Sequence, residues 1–137
     1  MTAATTLRVA RPTDQLAEVV RFYEIGLGFE RLASFDDHDG FDGVMLGVPG
    51  ASYHLEFTTT RRHRAGRAPT QDHLLVFYLP DAAEWQAATA RLEALGHAPV
   101  PSHNPYWDRE GKTYEDADGY RVVLYQRAWE NRAVEHA

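Results

Sequence analysis

A chain of 137 residues, 44% of them hydrophobic, is long enough to bury one core of ordinary size without disulfide or metal staples. It contains no cysteine, which excludes a disulfide scaffold, a thiolate zinc site and a cysteine nucleophile, and which agrees with a reducing cytoplasm. A formal charge of -6 argues against nucleic acid as the main partner, because phosphate binding needs a basic face. The longest apolar runs are strand-sized, and the first six residues lack the basic and apolar blocks of a signal peptide. A soluble cytoplasmic protein with no membrane contact is therefore expected.

The first predicted element is a strand over residues 7–11. Leu16, Val19, Val20, Tyr23 and Leu27 then recur at helical spacing and predict a helix from about Asp14 to Ile25. Thr13 or Asp14 can cap it, and Gly26 or Gly28 lets the chain turn out. Strands follow over 29–35, 44–48 and 53–59, separated by the turn signals Asp39-Gly40, Asp42-Gly43 and Pro49-Gly50. The basic cluster Arg61-Arg62-His63-Arg64 with Arg67 reads as a solvated loop. After it come a strand over 73–79 and a second helix. Asp81 and Glu84 form a box-like start to that helix, Trp85, Ala88, Leu92 and Leu95 make its apolar stripe, and Gly96 ends it. Strands over 98–100, 112–115 and 120–126 complete the series, with Asp118-Gly119 as the turn between the last two. The tail from Trp129 onward is polar and expected to fray, with Trp129 available to the body or to a second subunit.

The order strand, helix, strand, strand, strand is thus written twice. Leu27-Gly28 and Leu95-Gly96 lie 68 residues apart, as do Pro12 and Pro80. The predicted organisation is one α+β domain of two modules, 7–60 and 72–126, with a loop at 61–71 and a polar tail at 127–137. Neither module can bury both faces of its sheet alone, so the two sheets are expected to curl together around a cleft with the helices outside. The seam between the copies is a natural place for a small-molecule site.

Several runs carry a family resemblance: Phe22-Tyr23 before Gly26-Leu27-Gly28-Phe29, Tyr53-His54-Leu55-Glu56-Phe57, Asp72-His73-Leu74-Leu75-Val76, and Asp116-Ala117-Asp118-Gly119-Tyr120 leading into Arg121-Val122-Val123-Leu124. Together they resemble the vicinal oxygen chelate superfamily, which contains glyoxalase I, bleomycin-resistance proteins and extradiol dioxygenases. Phe41-Asp42-Gly43-Val44 and Asn104-Pro105-Tyr106-Trp107 are similar to a small, mostly uncharacterised bacterial branch of it. The resemblance spans residues 7–126. It implies the fold more firmly than an activity, since one scaffold carries several chemistries. Enzymes of the superfamily hold one divalent metal on four strand positions and use it as a Lewis acid. The resemblance places Glu56 and His73 on two of those positions. The other two carry Thr5, Thr6 or Arg8 on the opening strand and Val123 on the last.

Beside that inheritance stands the local chemistry. His54 and Glu56 are two residues apart and share a face of one strand. Joined by His73 across the seam, they would form a two-imidazole, one-carboxylate metal site, so the expected cofactor is either none or one divalent metal ion. In the alternative, Glu56 accepts a hydrogen bond from His73 or the charge of Arg8, and the three are ordinary polar-face residues. Asn104, Tyr106 and Trp107 place two flat aromatic faces and an amide side by side, suited to a small ligand or to a dimer contact. Tyr114 and Tyr125, on neighbouring strands, could extend that wall. Asp36, Asp37, Asp39 and Asp42 are explained by turn chemistry, and His38, His97 and His136 have no evident partner.

Three function classes follow. One is a metal-free binding or resistance-like protein in which an aromatic cleft at the seam sequesters a small molecule, with Glu56, His73 and Arg8 supplying polar specificity and His54 also in contact. Another is a metal-dependent lyase, isomerase or dioxygenase on Glu56, His73 and His54. The third is a metal-free enzyme with Glu56 as general base and His73 as acid. Convergence of His54, Glu56 and His73 on one point would favour the metal enzyme; Arg8 at that point would disfavour it. A homodimer is expected from the resemblance, since paired modules of this kind commonly associate.

Overall fold

A computed structural model describes residues 1–135; His136 and the end of the predicted tail lie outside the described residues. The first module runs β1 (Leu7–Pro12), α1 (Leu16–Arg21), a π-turn (Phe22–Gly26), β2 (Glu30–His38), β3 (Phe41–Gly47) and β4 (Tyr53–Thr60). The second runs β5 (Leu74–Tyr78), α2 (Ala82–Ala94), a short 3-10 turn (Pro105–Asp108), β6 (Gly111–Glu115) and β7 (Arg121–Tyr125). The strands form two separate sheets, β1-β4-β3-β2 and β5-β7-β6, which are not closed into a barrel. In both sheets the module's first strand pairs in parallel with its last, and the remaining pairs are antiparallel.

Three elements differ from the sequence expectation, one of them the Asp42-Gly43 turn signal, which lies inside β3 and pairs with β4. The first helix starts at Leu16 with no side-chain cap, because both candidate caps are used elsewhere. Thr13 accepts from the Gln15 amide at 3.0 Å, and the Asp14 carboxylate accepts from the Ala65 and Gly66 amides of the inter-module loop at 2.9 and 3.0 Å. The strand expected over 98–100 shrinks to a single bridge between Val100 and Thr113. Val100 is flanked by Pro99 and Pro101, neither of which has an N–H to donate, so no ladder can extend from it. The second sheet is left with three strands against the first sheet's four.

One core serves both modules. Val19, Phe22 and Tyr23 of the first helical segment and Leu46, Leu55 and Phe57 of the first sheet pack in the same cluster as Ala88, Leu92, Tyr114, Val122 and Leu124. The helical segments touch at Gly26, where an added Cβ would lie 2.5 Å from Leu92 Cδ2, so glycine is what permits the approach. Trp85 of α2 donates its indole N–H to the Leu124 carbonyl at 2.8 Å and so pins the helix to β7.

A buried polar knot also ties the modules together. Asp116, whose side chain is 0% exposed, pairs with Arg11 of β1. It accepts from the Tyr23 hydroxyl at 2.8 Å and from the Asp118 and Tyr120 amides at 2.9 and 3.1 Å. The Arg11 guanidinium also lies 3.8 Å from the Tyr120 ring centroid. Burial, and then the Asp116 charge, push the Tyr23 phenol above its ordinary pKa, so it remains a neutral donor.

The alternation of side chains along each strand assigns the two faces of each sheet. Leu55 and Phe57 of β4, and Val122 and Leu124 of β7, enter the core. By period two, Arg8, His54 and Glu56 therefore lie on the other face of the first sheet, and Val76, Tyr78, Val123 and Tyr125 on the other face of the second.

Candidate functional site

The polar residues of the first sheet form a connected set. Parallel pairing sets Arg8 opposite His54 and Ala10 opposite Glu56. Arg8 Nε donates to His54 Nε2 at 2.8 Å, and Arg8 Nη1 lies 3.4 Å from Glu56 Oε2. An imidazole that accepts at Nε2 is neutral with its proton on Nδ1, an assignment that follows from the hydrogen-bond pattern. The Glu56 side chain is 14% exposed and that of Arg8 is 47%, so the carboxylate sits below a guanidinium that still reaches solvent.

His73 does not join this set. It is exposed and directly precedes β5, which belongs to the other sheet, and it has no hydrogen bond or ion pair among the described residues. Its neighbour Asp72 lies 3.1 Å from His103 Nε2 instead. Glu56 and His73, expected to act together, are held by different sheets.

These residues do not fit a divalent metal. Among the described residues no three His, Cys, Asp or Glu side chains gather closely enough to hold an ion. His54 and Glu56 do converge, but on the Arg8 guanidinium, which already uses the His54 lone pair and compensates the Glu56 charge. A divalent ion there would have to share its position with a fixed cation. The set of His54, Glu56 and His73 expected as metal ligands is thus replaced by an arginine-centred group.

An aromatic surface occupies the corresponding face of the second sheet. The Asn104 side chain caps the 3-10 turn, accepting from the Tyr106 amide at 3.0 Å, and so orients Tyr106 and Trp107. Their ring centroids are 4.9 Å apart and lie 5.6 and 5.3 Å from that of Tyr125. Tyr78 continues the surface 6.0 Å from Tyr125, and Trp129 covers Tyr78 at 5.8 Å. Gly111, opposite Tyr125 on β6, makes room for the ring: a Cβ there would lie 2.7 Å from Tyr125 Cδ1.

Tyr114 is not part of this wall. It pairs with Val122, points into the core, and donates its hydroxyl to Glu93 of α2 at 2.9 Å. Burial, and then that hydrogen bond, raise its phenol pKa. Trp129 packs on the body, one of its two expected roles, whereas Tyr78 carries no local signal in the sequence. The parallel pairing of Tyr78 with Tyr125 is the signal that could have found this ring, but it requires the register.

Comparison with known proteins places this architecture. Residues 7–58 match the YycE-like N-terminal domain, and residues 72–126 match the YycE-like C-terminal domain. The chain belongs to the YycE-like family. That family is a branch of the vicinal oxygen chelate superfamily, as the fold also indicates. The chain is 50% identical over 121 residues to the uncharacterised protein YycE of Bacillus subtilis (strain 168), covering 88% of this chain and 87% of that one. The crystal structure of a YycE protein of unknown function from Bacillus subtilis, named there as a candidate glyoxalase/fosfomycin resistance protein, superposes with a TM-score of 0.85 at 47% identity and covers 93% of each chain.

More distant structural neighbours share the fold alone. FosX of Listeria monocytogenes, a fosfomycin resistance protein solved with Mn(II) and a dihydroxypropylphosphonic acid, has a TM-score of 0.70 at 15% identity, covering 93% of this chain and 95% of that one. TnmS3, an antibiotic binding protein from Streptomyces sp. CB03234, has a TM-score of 0.61 at 22% identity, covering 93% and 99%.

Proposed function

We propose that this YycE-like protein binds and sequesters a small molecule without a metal ion. Arg8, His54 and Glu56 contact the ligand's polar groups, and Tyr106, Trp107 and Tyr78 contact its flat or apolar part, with the buried Tyr125 ring packed behind them. The observation that carries this reading is Arg8 itself. A guanidinium held by His54 and Glu56, with about half of its surface open, can orient a ligand oxygen where superfamily enzymes place a metal. The aromatic surface supplies apolar contact area at low entropic cost.

His73 and Asn104 contribute at most at the margin, one on the other sheet and the other spent as a cap. We further propose a cytoplasmic homodimer. Trp129 (68% exposed) and Tyr106 (42% exposed) leave apolar surface for a second copy to cover, and that copy would bring a polar and an aromatic sheet face together. No helix among the described residues is long and apolar enough to cross a membrane.

The test is tryptophan fluorescence of untagged protein titrated with fosfomycin, bleomycin and a metabolite panel, with and without a chelator. Analytical ultracentrifugation in parallel gives the mass. The account expects saturable quenching that is indifferent to the chelator and weakened about tenfold or more by Arg8→Ala, the scale of a lost charge-assisted hydrogen bond. Quenching that vanishes on chelation, or that is unchanged in Arg8→Ala, would overturn it.

A further inference from the structure

A cavity of about 210 Å³ lies at the seam of the modules, on the core side of the sheets and away from Arg8 and the aromatic surface. Phe29 and Tyr53 wall it from the first module, and Phe77, Ala88 and Leu124 from the second. The three rings stand edge-on or tilted to one another, with centroids 5.6 Å (Phe29–Phe77), 6.4 Å (Phe29–Tyr53) and 6.1 Å (Tyr53–Phe77) apart. Ala88 is 4% exposed and contributes only a methyl group to the wall, where the buried Leu92 one turn on is larger.

Size limits the occupant. An apolar cavity of roughly 150 Å³ holds a benzene ring, whereas drug-sized sites begin near about 300 Å³. This one suits a single ring with a substituent of one or two heavy atoms.

The polar groups at its wall are unequal. Glu84, Ala88 and Arg91 follow one another at helical spacing on one face of α2. Arg91 spends Nε and Nη2 on the Gly26 and Leu27 carbonyls, each at 3.2 Å, and holds the turn around Gly28 against the helix. Glu84 has no hydrogen bond or ion pair among the described residues, and neither does the Tyr53 hydroxyl. The Tyr53 phenol has its pKa raised by burial and by the Glu84 charge, which places the carboxylate near that wall. What the cavity offers a ligand is thus an apolar slot with a free carboxylate and a free phenol oxygen, beside a guanidinium whose Nε and Nη2 are spent on backbone carbonyls.

We propose that this seam cavity is a second binding site, for a small molecule with a single-ring apolar body and one protonated amine that donates to Glu84 and Tyr53. This proposal does not depend on the ligand site at Arg8.

The test is a ¹H–¹⁵N NMR titration of the intact protein with benzylamine and, separately, with benzoate. Benzylamine is expected to give saturating shifts at Gly28, Phe29, Phe77 and Ala88. It should bind about threefold to fivefold more tightly than benzoate, the scale of one partly exposed ion pair. Glu84→Gln, at an exposed position, should remove that preference without unfolding the protein, and Ala88→Leu should fill the slot and abolish the shifts. If Ala88→Leu fails to fold, Glu84→Gln alone decides. Absence of saturating shifts at these residues overturns the proposal, as does benzoate binding at least as tightly as benzylamine, or a preference unchanged in Glu84→Gln. Shifts confined to Arg8, His54 and Tyr125 would also overturn it, while supporting the separate ligand site.

Discussion

Arg8 carries more of the functional reading than any other side chain, and its role turns on a register that spacing alone does not give. The sequence shows His54 and Glu56 on one strand face, but only the parallel pairing of β1 with β4 sets Arg8 opposite His54 and in reach of both. The same limit explains the two tyrosines. Tyr114 and Tyr125 read alike in the sequence, yet their pairing partners, Val122 and Gly111, put one in the shared core and the other on the opposite sheet face, buried behind Tyr106 and Trp107. Asp116 was legible only as part of a family-like run, because its partners Arg11 and Tyr23 come from the other module. Its buried pairing yields a stability prediction. Asp116→Ala leaves Arg11 uncompensated in the core and should cost about 3–5 kcal/mol. Tyr23→Phe removes the hydroxyl that donates to Asp116 and accepts from Arg11, and should cost less, about 1–3 kcal/mol. Urea denaturation of the two variants checks the ranking; equal losses would mean that the knot does not hold the modules together.

At the scale of elements, the helices and most strands could be read because hydrophobic period and turn residues agree along the chain. Asp81 caps α2 as expected, its carboxylate accepting from the Ala83 amide at 2.9 Å. Local signals failed where a side chain had a distant competitor. Asp14 looks like a cap, but the inter-module loop takes its carboxylate. The Ala65 and Gly66 amides hold that carboxylate below the usual aspartate pKa. A depressed folded value means that its stabilising contribution is full above about pH 3.9, the ordinary aspartate value, and is lost as pH falls through the lower folded value. An NMR titration should therefore give Asp14 a midpoint below the ordinary aspartate value of about 3.9, with the Ala65 and Gly66 amide resonances moving with it. A midpoint at or above that ordinary value, or amides that do not follow, would show that the loop is not held this way.

For the whole molecule, the repeat was the most readable feature, since two modules of one pattern predict a two-sheet α+β fold with a seam. What the repeat could not specify was how the seam would be used. The sequence suggested Glu56 and His73 facing each other across it. The structure instead fills the seam with the shared core, the Arg11–Asp116–Tyr23 knot and a small cavity walled by Phe29, Tyr53 and Phe77. Glu56 turns to Arg8 on a separate face, leaving the polar and aromatic surfaces on different sheets. A YycE-like chain thus keeps the superfamily's scaffold while the Arg8 guanidinium is bonded to both His54 and Glu56.

The most direct test of that arrangement is calorimetric titration of untagged, chelator-treated wild-type protein with Mn(II). The account predicts no saturable binding, because Arg8 occupies the space between His54 and Glu56. A saturable isotherm near one ion per chain that is lost in His54→Ala would contradict it.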